Sequence, residues 1–111
     1  MGGGSFLGEF EQLVLLAVGR LDDAYGMTVR REIEARTGRS VSIGSVYITI
    51  DRLLSKEYLE ERTAIPEPRR GGKARRLFRL TAAGIEALET SRQAQAQMWK
   101  GLVLKPLRGG R

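Results

Sequence analysis

The chain has 111 residues, 41% of them apolar, which suits one domain with a core, but one small enough to gain from a partner subunit. It contains no cysteine and no histidine, which excludes a disulfide framework, thiolate chemistry and the usual zinc sites and general bases. A net charge of +6 and a pI near 10.3 favour an anionic partner, and the longest apolar run, residues 13–18, is far too short to span a bilayer.

Residues 1–5, MGGGS, lack a basic start followed by an apolar run, so they read as a flexible leader rather than a signal peptide. Residues 8–19 are predicted to form a first helix whose apolar side chains, Phe10, Leu13 to Val18, cover most of its circumference. Such a helix is buried on two sides, either against another subunit or as the central core helix of a monomer. A turn over residues 20–26 precedes a second helix at 28–36, with Val29 and Ile33 four apart and Gly38 as its stop. Ser42 caps a third helix in which Val46, Ile50 and Leu53 share one face, while Gly44, Ile48, Asp51, Arg52 and Ser55 point broadly the other way.

Residues 58–65 have strand composition and end at Pro66 and Pro68; residues 75–80 form a second strand, with Leu77 and Arg79 on one face and Arg76, Phe78 and Leu80 on the other. Between them lies a loop with adjacent glycines, Gly71 and Gly72; Arg69, Arg70, Lys73, Arg75 and Arg76 crowd around it. Thr81 caps a last helix over residues 82–101, with a narrow stripe of Ile85, Leu88, Trp99 and Leu102 interrupted by Arg92 and Gln95. The tail, residues 105–111, is basic and expected to be disordered.

The second and third helices make a helix-turn-helix, and the hairpin after them makes a wing. In such a unit the third helix enters the major groove. The paired glycines let the chain reverse, so that Arg69, Arg70, Lys73 and Arg75 reach phosphates or the minor groove. Ile48 on the polar face is placed to meet a thymine methyl, and Ser45 and Arg52 flank it for base or phosphate hydrogen bonds. Tyr47 sits at the boundary of the two faces, either packed in the core or touching phosphate. Asp51 would repel phosphate, so a nearby arginine is expected to pair with it.

At this point "SIGSVYITIDRL", the wing and "RLFRLTAAGIEAL", preceded by "FEQLVLLAVGRLDDAYGMTVRREIEARTG", resemble the PadR-type winged-helix transcriptional regulators over roughly residues 7–90. The resemblance implies a mainly α (α+β) winged helix-turn-helix with a two-stranded wing over residues 6–81 and a C-terminal dimerisation helix over 82–104. It implies a cytoplasmic homodimer that represses transcription from a pseudo-palindromic duplex-DNA operator. Ser45, Tyr47 and Arg52 then belong to the recognition helix, and Arg69, Arg70, Lys73 and Arg75 to the wing. Phe10, Leu13, Leu16, Leu88, Trp99 and Leu102 are expected at the dimer interface. Trp99, approached by Phe10, is either an anchor there or the wall of a pocket for a small aromatic or cationic effector. The chain departs from the family in having Glu57 where a glycine usually follows the third helix, and in keeping only Phe78 of an aromatic pair. The competing readings are a basic RNA-binding module and a protein-interaction winged helix. No enzymatic constellation and no cofactor or metal site is expected.

Overall fold

The computed structural model describes residues 6–64 and 75–107. The order is α1 (Glu9–Arg20), α2 (Gly26–Thr37), α3 (Ile43–Ser55), β1 (Leu59–Ala64), β2 (Arg75–Leu80) and α4 (Ala82–Trp99). The expected glycine turn, with Arg69, Arg70 and Lys73, lies outside the described residues, as do the leader and the end of the tail.

Three helices and the hairpin close one core. Val14, Leu15 and Val18 of α1 meet Val29 and Ile33 of α2, Val46, Ile50 and Leu53 of α3, and Leu59 and Phe78 of the sheet. The 3.6-residue spacing on α2 and α3 put these side chains on single faces. On α1 the chain's own core covers one side only. Phe10 and Leu13 pack at the edge of that core, and Leu16 is left 49% exposed, facing α4.

The ends of the elements are set by local chemistry. Ser42 Oγ accepts from Ser45 N at 3.1 Å and starts α3. Gly38, at φ 72°, ends α2. The turn between α2 and α3 is fixed by Arg30 Nε donating to Val41 O at 2.9 Å and Val41 N donating to Glu34 Oε2 at 2.9 Å. After α3, Glu57 N donates to Leu54 O and Tyr58 N to Leu53 O, each at 3.0 Å, with Glu57 at φ 63°. This is a Schellman stop, with glutamate in the left-handed position that glycine normally fills.

Thr81 starts α4 twice over. Its hydroxyl accepts from Gly84 N at 3.0 Å and donates to Glu57 O at 2.7 Å, which locks the helix to the α3 stop. A Cβ on Gly84 would lie 2.2 Å from the Tyr58 carbonyl oxygen, so only glycine lets α4 come this close. The threonine and glycine of "RLTAAG" are thereby explained as a cap and a close approach.

Three expectations are corrected. First, α2 begins two residues earlier than expected, at Gly26, because Thr28 Oγ1 accepts from Tyr25 N at 3.0 Å and so closes the first turn. Second, β2 does not alternate strictly: Leu77 and Phe78 are both buried. Phe78 N donates to Ala24 O at 2.8 Å, so the segment before α2 runs beside β2, and Leu77 is covered on the face away from the main core. Third, α4 stops at Trp99, and Gly101 at φ 74° turns the chain away, so Leu102 is not part of the helical stripe.

Beyond its first turns α4 touches little: of its residues only Gly84 is buried. The Cα radius of gyration is 17.5 Å, against roughly 13 Å for a compact chain of this length, and the long dimension is 66 Å. No helix among the described residues is long and apolar enough to cross a membrane.

Candidate nucleic-acid interface

The exposed face of α3 carries Ser45, Ile48, Asp51 and Arg52 at helical spacing. Ile48 is 62% exposed, the most exposed apolar side chain on the helices of the winged unit. It shares a shallow depression with Ser45, Arg52 and Phe10, floored by the start of α1. Ser45 Oγ accepts from Ser42 Oγ at 2.8 Å, which leaves the Ser45 hydroxyl at the very N-terminus of the helix, facing solvent.

Tyr47 is half-buried. Its ring lies where a Cβ on Gly26 would meet it at 2.2 Å, so α2 begins with glycine because the Tyr47 ring packs on its backbone. Packing is thus the role the structure displays for this ring.

The wing is tied to α3 by Arg76, one of the cations around the expected turn and on the Phe78 face of the second strand. Arg76 Nε and Nη2 grip Glu61 at 2.8 and 3.1 Å, and Nη2 also donates to Asp51 Oδ1 at 3.2 Å. Glu61 and Arg76 are diagonal neighbours across the β1–β2 ladder, which is why both reach the same point. The guanidinium lies 5.2 Å from the Phe78 ring centre and 5.9 Å from that of Tyr47. The hydrogen bond from Arg76 holds the Glu61 carboxyl below its usual range, while partial burial and the charge of Asp51 oppose the shift. The hydrogen bond to Glu61 raises Arg76 in turn, with burial opposing and Asp51 adding to it. The expected arginine partner of Asp51 is therefore Arg76.

Arg75, expected on the wing, begins β2 and stacks 4.2 Å over the ring of Tyr25. Tyr25 was read only as part of a turn. It sits at the start of α2, beside Gly26 and hence beside Tyr47, so the α2 start, α3 and the wing base form one continuous surface. A lone tyrosine in a turn gives no sign of an arginine fifty residues on; the tertiary fold alone brings the two together.

A second feature lies away from this surface. Leu16 of α1, Leu80 of β2, and Ile85, Leu88 and Trp99 of α4 line an apolar groove of about 510 Å³. Trp99 at its end is 55% exposed. Leu13 packs against the core and Phe10 lies beside Ile48, so within this chain Phe10 and Trp99 line different depressions. Leu102, expected in the same stripe, is in the extended segment after Gly101.

No curated protein matches the chain at a significant level. Solved structures share its fold. A PadR family transcription regulator from Clostridium difficile superposes with a TM-score of 0.70 at 22% identity, over 84% of this chain and 93% of that one. A PadR-like transcriptional regulator from Bacillus cereus gives 0.66 at 21% identity, over 80% and 82%. RosR of H. salinarum gives 0.65 at 23% identity, over 87% and 81%. The family model of the transcriptional regulator PadR-like family matches residues 14–90, well over half the chain, and the chain belongs to this family of DNA-binding regulators.

Proposed function

We propose that the chain is a homodimeric, sequence-specific repressor that works in the cytoplasm on a pseudo-palindromic operator. The observation that carries this reading is the solvent-facing side of α3, with an exposed Ile48 between polar neighbours, set against a basic wing. An isolated exposed isoleucine is ordinary. On a helix that a wing flanks it is a contact for a thymine methyl, with Ser45 and Arg52 on either side for base edges and phosphates. Tyr47 supports this surface from below. Arg69, Arg70, Lys73 and Arg75 supply phosphate contacts, whose counterion release gives affinity without regard to sequence.

The exposed Ile85 and Trp99 of α4 and the half-exposed Leu16 of α1 support the dimer. Leu16, Leu88 and Trp99 form its centre in this reading. A small aromatic or cationic effector in the groove beside Trp99 is the second reading of the same residues. The groove's volume and apolar lining favour it, since pockets of roughly 300–1,000 Å³ suit such molecules.

Selection of bound sequences from randomised duplex, with single-stranded RNA as competitor, tests the function. A recovered two-fold motif, with half-sites about one helical turn or a multiple apart, is the expected result. Displacement by RNA at equal concentration would favour an RNA-binding module instead. Enrichment of no sequence at all would leave the basic wing facing an acidic protein.

A further inference from the structure

We infer that Asp51 is a specificity-determining residue: it accepts a hydrogen bond from the N4 amino group of a cytosine in the major groove, held in place by Arg76. This rests on the DNA-binding reading above.

Asp51 lies three residues after Ile48 on the outward side of α3, with its side chain 63% exposed. A bare carboxylate there is repelled by every phosphate that the helix approaches. Arg76 does not cancel this repulsion. Its Nε and Nη2 donate to Glu61 at 2.8 and 3.1 Å, and Nη2 donates also to Asp51 Oδ1 at 3.2 Å. The cluster thus holds one cation against two carboxylates and stays negative, on the DNA-facing side of a chain whose net charge is +6. The same bonds keep Arg76 from swinging out to a phosphate. They fix the Asp51 carboxylate at one place and engage one of its two oxygens.

An ionised carboxylate only accepts hydrogen bonds. Two base groups donate in the major groove, cytosine N4 and adenine N6. Adenine N6 stands next to the N7 acceptor, whose lone pair repels a carboxylate; cytosine N4 has no such neighbour. The anion that costs affinity for phosphate therefore gains selectivity for cytosine. Arg76 acts as the positioning residue for it.

The test is a binding selection on randomised duplex for the wild type, Asp51→Ala, Asp51→Asn and Glu60→Gln. Asp51→Ala is expected to lose about tenfold preference for cytosine at one position in each half-site. Asp51→Asn, which keeps the size of the side chain, is expected to shift that position toward adenine, since an amide can meet both N6 and N7. Glu60→Gln removes a charge of the same sign from the other face of β1, where Glu60 pairs with Arg79 outside this cluster, and is expected to keep the cytosine. Both Asp51 variants should hold random duplex at least as tightly as the wild type. Unchanged profiles in both Asp51 variants, with affinity for all duplexes raised alike, would overturn the assignment and leave Asp51 as a counter-charge for Arg76. Loss of the cytosine in Glu60→Gln would also overturn it, because charge and not contact would then set the preference. A wild type that enriches no sequence would overturn the DNA reading itself, and this assignment with it.

Discussion

Glu57 and Glu11 are the two side chains whose cost or benefit is most plainly fixed by their surroundings. Glu57 holds φ 63° to complete the stop of α3, a conformation that costs an L-residue roughly 1–2 kcal/mol. Its backbone carbonyl, not its side chain, is what Thr81 uses. Glu57→Gly relieves the strain but adds freedom to the unfolded chain, so a net gain of about 0.5–1 kcal/mol is expected. A urea midpoint that stays put or falls would mean that the glutamate side chain compensates in the fold. Glu11 is buried at the first turn of α1, where its carboxylate accepts from Gly8 N and from Lys56 Nζ, each at 2.9 Å, and so joins α1 to the end of α3. Burial pushes its carboxyl up, but Lys56, the Gly8 N–H and the charge of Arg52 together hold it below the usual value of 4.5. A carboxyl lowered on folding contributes stability above its unfolded value and loses it as pH falls through the folded one. The wild type should therefore lose stability on acidification below about pH 4.5. Glu11→Gln should cost about 1–2 kcal/mol near neutrality and show less of that acid loss. Parallel stability curves for the two proteins from pH 7 to pH 3 would show the ion pair to be idle.

At the level of elements, the proposed function divides the work between α3 and the wing in a way that mutation can separate. Ile48→Ala removes an uncharged contact, so it should lose about 1 kcal/mol of preference at one base pair per half-site and leave random-duplex affinity nearly intact. Replacing Arg69, Arg70 and Lys73 with Ala should weaken all duplexes alike and flatten the log affinity–log salt slope by roughly 0.9 per lost phosphate contact. An identical profile for Ile48→Ala in a binding selection would mean that α3 docks at another rotation about its axis. The elements themselves were legible because their signals are local: Ser42 and Thr81 as caps, Gly38 as a stop, and Val46, Ile50 and Leu53 on one face. The exposure of Ile48 followed from the same periodicity. What stayed hidden depends on distant pairings. Arg76 became a tie between wing and helix only through the β1–β2 register, and Tyr25 became a platform for Arg75 only because the segment before α2 runs beside β2. The burial of Leu77 beside Phe78 has the same origin, since alternation describes a strand with one covered face and β2 has cover on both.

In the whole molecule, α4 is the element that reaches furthest from the core. An 18-residue helix is about 27 Å long, and most of α4 beyond its first turns has no cover among the described residues. Helices in water draw most of their stability from packing an apolar face, so an α4 left bare would be marginal along its outer turns. Its stripe meets the open side of α1 at the groove where Leu16, Ile85, Leu88 and Trp99 converge, and a two-fold axis there would let each chain cover the other's stripe. Leu16 is the position that separates the monomer from the dimer. It is half exposed, so in a lone chain Leu16→Glu changes a surface residue and should move stability little. In the dimer it places an unpaired charge in an apolar interface, at a cost of several kcal/mol. A cost of about 4 kcal/mol is roughly a thousandfold in the dimer dissociation constant. Sedimentation should then find the wild type dimeric and Leu16→Glu monomeric at micromolar concentration, with the core still folded and part of the α4 helical signal lost. The variant should also lose preference for two-fold sites over isolated half-sites, because one chain presents only one α3. A wild type that sediments as the 12.3 kDa chain, or a Leu16→Glu variant that associates as tightly as the wild type, would place the second α4 elsewhere or remove it altogether.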